Sequence, residues 1–331
     1  MRAQNPTGDS SMNAFERFNI RSLSPTMIAQ WDAAPATLIL RRLYGVKGKA
    51  NAKMWRGDAV EAGLNFWLHN RTREDAMANA KALAVDTFWQ RAEGETSEEI
   101  EEVLKGVPGM VEQAVIAIST MPSNVMGTQF GVETFLDDVD VPVFGKIDFL
   151  FEDRSIVELK TTTRCPSKIE SVSISHRWQA ALYAKARDVP VKLTYVTDKK
   201  WISFDIRPDD ASLVTMRRAA LSLQKALTST EDGEALLRSL SLNVESFYWD
   251  DEVMQAYEDA LEGKLKLLVG PGTESLAAQG YVTFGKHSGK HISELPQSYL
   301  DWLLNPKLSD GGFYDVPKEL QAAISDLREA A

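Results

Sequence analysis

The N-terminal third of the chain has apolar residues at the spacing that predicts amphipathic helices. Helices are expected to begin near Pro25 and Pro35, because proline is favoured at the first helical position. A longer helix is predicted from about residue 53 to 69, where apolar residues recur every three or four positions. The same pattern continues over 73–92 and 97–105, so this third should be almost entirely helical.

The pattern changes after Pro122, where short runs of Val, Ile and Phe alternate with polar turns. These runs predict three strands within 127–163, followed by a helix from about 175 to 187. Two further strands and a helix are expected next, at 192–197, 199–206 and 208–228. The order of elements predicts an α/β fold with a central sheet flanked by helices.

The composition and the positions of Gly, Pro and Ser residues indicate how the chain divides into domains. The 331 residues are 44% apolar and 25% charged, which excludes a disordered tail or a fibre. A polar, flexible arm is expected over 1–22 and the main domain over 23–265. A stretch rich in Gly, Pro and Ser near 265–280 reads as a linker, so residues 281–331 should form a small C-terminal module.

Cysteine content and hydropathy point to a cytoplasmic protein. Cys165 is the single cysteine, so the chain can form neither an internal disulfide nor a four-thiolate zinc or iron–sulfur site. The N-terminus lacks an uninterrupted apolar segment, and no run approaches the roughly 18 apolar residues that a membrane span needs. We therefore expect a reducing compartment and no membrane partner.

The net charge argues against a protein that binds nucleic acid over its whole surface. Lys and Arg total 37 against 47 Asp and Glu, a net charge of −10. The charges are segregated, however, and one stretch carries basic residues with no acid among them: Arg41, Arg42, Lys47, Lys49, Lys53 and Arg56. This stretch is either a local basic surface for phosphates or an ordinary solvated face.

Residues 145–160 carry the most informative polar residues. Side chains alternate along a strand, so Glu158 and Lys160 share a face, and a three-residue turn at 152–154 would place Asp148 opposite Glu158. Two carboxylates held close together suit Mg²⁺ or Mn²⁺, which can activate water against a phosphodiester beside the lysine. The alternative is a surface hairpin with an ordinary Glu–Lys ion pair.

The next predicted helix places Gln179 and Tyr183 on one face, four residues apart. In this order, Asp148, Glu158-x-Lys160 and Gln179-x-x-x-Tyr183 resemble the signature of the PD-(D/E)xK nuclease superfamily, in particular its RecB-type and phage exonuclease branch. The resemblance implies a restriction-endonuclease-like core with a mixed sheet, and Mg²⁺ or Mn²⁺ as cofactor. The two carboxylates would hold the metal, the lysine would assist the water, and Gln179 and Tyr183 would position the substrate strand.

The same resemblance implies two further metal ligands. The backbone carbonyl of Leu159 would supply an oxygen, and Glu61, four residues after Gly57, matches the position of an additional metal-associated residue. Many RecB-type relatives carry four cysteines for an iron–sulfur cluster, but this chain has Ala34 in that upstream region and a single cysteine, so no cluster is expected. It also lacks a G-x-x-x-x-G-K-[ST] motif, so no nucleotide cofactor is expected.

The C-terminal stretch around Lys286 and Lys290 resembles a small module appended to exonucleases of the exodeoxyribonuclease X type. Its lysines would contact phosphates, while Tyr299 and Trp302 would either stack on bases or form the core of the module. Further DNA contacts are predicted at basic residues that precede or flank the site in sequence: Arg41, Arg42, Lys53, Arg56, Lys168 and Arg177.

The preferred interpretation is a metal-dependent DNA exonuclease acting in phage or bacterial DNA recombination, repair or degradation. DNA ends would be its substrate, and a single-strand annealing or recombination protein could be its partner. A structure-specific or restriction-type endonuclease is the alternative within enzymes, because the same metal cluster serves both activities. A DNA-binding recombination accessory protein that does not cleave is the alternative from another class.

Overall fold

The computed structural model describes residues 13–268, 277, 279–282, 287, 290–306 and 316–329. The strands are β1 (Val125–Thr134), β2 (Val143–Phe151), β3 (Ile156–Thr161), β4 (Val191–Val196) and β5 (Trp201–Ile206). The helices are α1 (Ala14–Arg17), α2 (Pro25–Ala33), α3 (Pro35–Leu43), α4 (Ala52–Asn70), α5 (Ala76–Ala92), α6 (Glu98–Ser119), α7 (Ile174–Arg187), α8 (Ser212–Ser229), α9 (Gly233–Ser239), α10 (Asp251–Leu261), α11 (Gln297–Leu304) and α12 (Lys318–Glu329). In the described residues, no helix combines the length and apolarity that crossing a membrane requires.

The chain forms two compact units, and neither is continuous in sequence. Residues 22–32 and 49–222 form one, here called the sheet unit, and the described residues within 1–21, 33–48 and 223–331 form the other, the helical unit. The expected single domain over 23–265 is therefore wrong in its boundaries. The reason is that α3 packs with α9 and α10, which joins an early segment to a late one.

The sheet unit is built on five strands in sequential order from β1 to β5. The β3–β4 pair is parallel and the other three pairs are antiparallel. A parallel pair needs a crossover connection, which is α7. The prediction of an α/β fold with a central mixed sheet flanked by helices is confirmed.

One face of the sheet packs on the helical layer formed by α4, α5 and α6. Leu64 of α4, Phe88 of α5 and Val111 of α6 are fully buried together with Phe149 and Val157 of the sheet. Helix α6 runs beyond the predicted end at residue 105, because its apolar stripe continues over a further three turns. The helical prediction for this third of the chain is otherwise confirmed.

The hairpin between β2 and β3 has the predicted turn. Phe151 N–H donates to the Ser155 carbonyl at 3.0 Å, so residues 152–154 form a three-residue loop. The ladder then pairs Leu150 with Ile156 and Phe149 with Val157 and ends there, although both strands continue. Beyond the Phe149–Val157 pair the two strands separate, at the position of Asp148 and Glu158, and this opening is here called the fork.

The helical unit includes part of the segment expected to be a flexible arm. Residues 13–21 are folded, and Phe15 and Phe18 of this segment are 0% and 1% exposed. Asn13 caps α1 in a reciprocal capping box with Glu16. The arm prediction is therefore wrong for these residues, because two buried aromatic rings supply enough apolar burial to order a short helix.

The described part of the C-terminal module has its own small core. Val282, Ile292, Leu303 and Leu320 are buried together there. The rings of Tyr299 and Trp302 lie 5.5 Å apart, nearly parallel, and pack against this core. This packing favours the core role for the two aromatic residues.

Candidate active site

Asp148 lies at the fork, with its side chain directed across to β3. Its Oδ2 accepts a hydrogen bond from the Leu159 N–H at 2.9 Å, which replaces the backbone bond of a regular ladder. Phe149 and Val157 point into the helical layer, so the alternation of side chains turns Asp148 and Glu158 to the other face. The two carboxylates thus lie opposite each other on one face, as the alternation predicts.

Lys160 joins these carboxylates to α7. Its Nζ lies 2.7 Å from Glu158 Oε1 and donates to Gln179 Oε1 at 2.9 Å. The Glu158 side chain is completely buried, whereas the Lys160 side chain is 20% exposed. The amine is therefore held between a buried carboxylate and a helical amide, with one side open to solvent.

Tyr183 supports this arrangement from the next turn of α7. Its hydroxyl accepts from Gln179 Nε2 at 3.0 Å and from the Lys146 N–H at 3.1 Å. A Cβ added at Gly145 would lie 2.4 Å from the Tyr183 ring, so only glycine leaves room for the ring to reach β2. All five predicted catalytic residues therefore form one connected network with the fork.

Glu61 reaches the same network through a residue that the sequence interpretation missed. Gln129 of β1 donates through Nε2 to Glu61 Oε1 at 2.6 Å and to Asp148 Oδ1 at 3.3 Å. Asp58, on the same helix as Glu61, instead pairs with Arg91 at 3.0 Å. Nothing in the local pattern of β1 distinguishes Gln129 from a surface polar residue.

The buried carboxyls have strongly altered acidity. Burial and the neighbouring Asp148 raise the pKa of Glu158 to about 8, against the attraction of Lys160. Burial likewise raises the pKa of Asp148, and burial together with Asp148 raises the pKa of Glu61. Burial works to lower the pKa of Lys160, but the carboxylates of Glu158 and Asp148 outweigh it and raise that pKa. Ionising all three carboxyls would thus concentrate negative charge where water does not relieve it.

The donor set fits a divalent cation. Glu158 Oε2 is buried and has no hydrogen-bond partner in the structure, so a carboxylate oxygen is left for another ligand. In the described part of the chain, no three Asp, Glu, His or Cys side chains converge closely enough to enclose a metal ion. Mg²⁺ does not need such a cage, because it keeps several waters and takes one or two carboxylates plus phosphate oxygens.

His176 is a second polar neighbour that the sequence interpretation missed. Its Nδ1 lies 2.7 Å from the Tyr195 hydroxyl, and Tyr195 pairs with Lys160 in the β3–β4 register. Burial, with a smaller effect of the Lys160 charge, lowers the pKa of His176 to about 4, so the ring is neutral at pH 7. In the sequence, the signal for His176 was its position three residues before Gln179, one turn earlier on α7.

Two of the predicted DNA contacts have other roles in the structure. Arg56 is only 5% exposed and donates to Thr161 Oγ1 at 3.2 Å and to the Thr161 carbonyl at 3.0 Å. Arg177 forms a two-pronged ion pair with Asp210 at 3.0 Å. The Arg56 prediction is corrected, because burial commits this side chain to anchoring α4 on β3, whereas Arg177, although paired with Asp210, stays a predicted DNA contact.

The remaining predicted DNA contacts are not brought into the network. Lys53 is exposed at the start of α4, and Lys168 is exposed before the short 3₁₀ helix Ile169–Ser171. Arg41 and Arg42 lie on α3 of the helical unit, where Arg41 is 6.0 Å from the Tyr248 ring centre and Arg42 is exposed. Lys290 is exposed, and Lys286 lies outside the described residues.

Comparisons with known proteins give remote likenesses only. No protein-family model matches the chain, and no curated protein matches it. A solved structure described as a "Putative exonuclease" from Eubacterium rectale covers 73% of this chain and 96% of its own, at 11% identity and a TM-score of 0.41. The structure of SSO0001 covers 54% of this chain and 79% of its own, at 16% identity and a TM-score of 0.27. The function proposed below therefore rests on the chain's own residues.

Proposed function

We propose that this chain is a deoxyribonuclease that uses Mg²⁺ or Mn²⁺ to hydrolyse phosphodiester bonds at DNA ends. The observation that carries the proposal is the buried Glu158 carboxylate, which has one oxygen on Lys160 and the other without a partner. Burying such a group costs free energy, and groups perturbed in this way cluster at functional sites. The resemblance of the sequence motif to RecB-type exonucleases is the reason for proposing DNA as the substrate and cleavage from its ends.

Two carboxylates, those of Asp148 and Glu158, would hold the metal. Asp148 and Glu158 face each other at the fork, and the Leu159 carbonyl belongs to the residue whose N–H binds Asp148. Glu61 would complete or tune the site, because Gln129 ties it to Asp148. When bound, the cation would act as a Lewis acid on the phosphodiester and lower the pKa of its water.

Lys160 is the residue best placed to assist the attacking water. Gln179 and Glu158 hold its Nζ beside the carboxylates, so its protons can be donated to water or to a phosphate oxygen on which charge develops. Tyr183 fixes the Gln179 amide by accepting its N–H, which leaves the amide oxygen directed at Lys160. Gln179 and Tyr183 would thus position the lysine as well as the substrate strand.

Digestion of labelled DNA tests the proposal directly. End-labelled linear duplex, single-stranded DNA and closed circular plasmid are incubated with Mg²⁺, Mn²⁺ or EDTA. We expect metal-dependent shortening of the linear substrates from their ends and no cutting of the circle. Cutting of the circle would indicate the endonuclease alternative, and DNA binding without cleavage under all conditions would overturn the proposal.

Matched variants tie the activity to the site. Asp148→Ala and Lys160→Ala are expected to lose at least about a hundredfold in rate, because each removes a group that stabilises the transition state. Asp86→Ala and Lys185→Ala remove the same side-chain types from exposed helical positions and should cleave normally. Circular dichroism of all four variants checks the fold, and full activity of either site variant would contradict the assignment.

A further inference from the structure

Gln129 has a backbone conformation that its residue type disfavours. Its φ is 52°, in the left-handed region where a side chain crowds the backbone. Two glycines flank it, Gly127 and Gly131, yet neither of them has a positive φ. The chain therefore uses glutamine at the position where glycine is the least strained choice.

This conformation places the Gln129 amide between two acidic groups. The residue falls opposite Asp148 in the β1–β2 register, between the Thr128–Phe149 and Phe130–Ile147 pairs. From there Nε2 donates to Glu61 at 2.6 Å and to Asp148 at 3.3 Å. One amide nitrogen thus connects a carboxylate of α4 to a carboxylate of β2.

The carboxylates of Glu61 and Asp148 repel each other when both are ionised, so a donor shared between them favours their staying together. Burial and, after it, the repulsion of Asp148 raise the pKa of Glu61, and the Gln129 hydrogen bond works against both. An amide N–H group carries partial positive charge, so it compensates both oxygens without adding a net charge that would compete with a cation. Strained residues persist only where the surrounding structure holds them in place, and they cluster at functional sites.

We propose that Gln129 is a positioning residue that holds Glu61 beside Asp148 so that both carboxylates can serve one divalent cation. The inference rests on the proposed metal-dependent function and extends it to a residue that is not itself a predicted ligand. Groups that orient metal ligands typically change metal affinity about 10- to 100-fold when removed. Gln129 is therefore expected to influence affinity more than folding.

Calorimetric titration of the full chain with MnCl₂ measures this affinity independently of cleavage. Gln129→Gly removes the amide and relieves the backbone strain, while Gln129→Asn keeps an amide on a residue that tolerates positive φ but is one methylene too short. The control is Glu93→Gly, which relieves the same conformation (φ 49°) at the exposed end of α5. Melting temperatures in EDTA are recorded for all variants.

The expected result separates positioning from folding. Both Gln129 variants should bind Mn²⁺ at least about tenfold more weakly than the parent, and Glu93→Gly should bind it normally. Gln129→Gly should melt in EDTA at the parent's temperature or above it. A merely structural role would instead lower the melting temperature together with the affinity, and that outcome would overturn the inference.

Two other outcomes also test the positioning role of Gln129. If the parent binds Mn²⁺ and the Gln129 variants bind it equally well, the positioning role is refuted while the proposed function stands. If the parent itself binds no Mn²⁺, the metal-dependent function fails, and the role of Gln129 fails with it.

Discussion

Replacing Glu158 by glutamine should stabilise the metal-free protein, because the native carboxylate is buried at a cost. Its pKa rises from 4.5 to about 8 through burial and the repulsion of Asp148, even with Lys160 beside it. A folded state that binds a proton more tightly than the unfolded chain loses stability as pH rises between the two pKa values. The penalty is then on the order of 3 kcal/mol at pH 7 and approaches roughly 5 kcal/mol above pH 8.

The pH dependence separates this effect from a general change in stability. At pH 5 the folded carboxyl is protonated and neutral, so Glu158→Gln replaces one neutral group by another and should change stability little. At pH 8.5 the variant should exceed the parent by a few kcal/mol, since glutamine keeps an oxygen for Lys160 and carries no charge. Urea denaturation in EDTA at pH 5, 7 and 8.5 measures the difference.

Lys160→Met provides the opposite case. It removes the donor to Glu158 Oε1 and Gln179 Oε1, and leaving a buried acceptor without its partner typically costs about 1–3 kcal/mol. The variant should therefore be less stable than the parent at neutral pH. The reasoning is refuted if Glu158→Gln is no more stable than the parent at pH 8.5, or if its advantage does not grow with pH.

Two further substitutions test how the fork is held. Gly145→Ala would force a Cβ to 2.4 Å from the Tyr183 ring, so it should cost about 1–3 kcal/mol by overpacking and impair activity, whereas Gly127→Ala, with open space around its Cβ, should do neither. Equal behaviour of the two in denaturation and cleavage assays would contradict this contact. Arg56→Ala removes two hydrogen bonds to Thr161 and should destabilise the fold by about 2–3 kcal/mol without changing the salt dependence of DNA affinity. A salt slope reduced by about one would show that Arg56 contacts phosphate after all.

The site's hairpin could be predicted because its geometry is local. Alternation along β3 places Glu158 and Lys160 on one face, and a loop of three residues places Asp148 across from Glu158. Similarly, the four-residue spacing of Gln179 and Tyr183 is a property of any helix. These relations depend only on the period of the backbone, so a single sequence contains them.

What could not be predicted depends on contacts distant in sequence. Arg56 lies in a basic stretch that suggested a phosphate surface, and only the packing of α4 on β3 shows it buried against Thr161. The role of Gln129 likewise depends on a contact with Glu61, 68 residues earlier in the chain. The division into two units was missed for the same reason, since α3 is adjacent to α2 in sequence but packs with α9 and α10.

Two features that weaken the fold lie on strands around the proposed metal site. The Glu158 carboxylate is buried, and the left-handed Gln129 is strained, on β3 and β1 to either side of β2. A cation that relieves the repulsion would bind the folded chain and not the unfolded one, so it should raise stability by about 2.7 kcal/mol at a concentration one hundred times its Kd. Stability lost to building the site would thus return on binding, and the apolar layer of α4, α5 and α6 keeps the metal-free sheet folded until then.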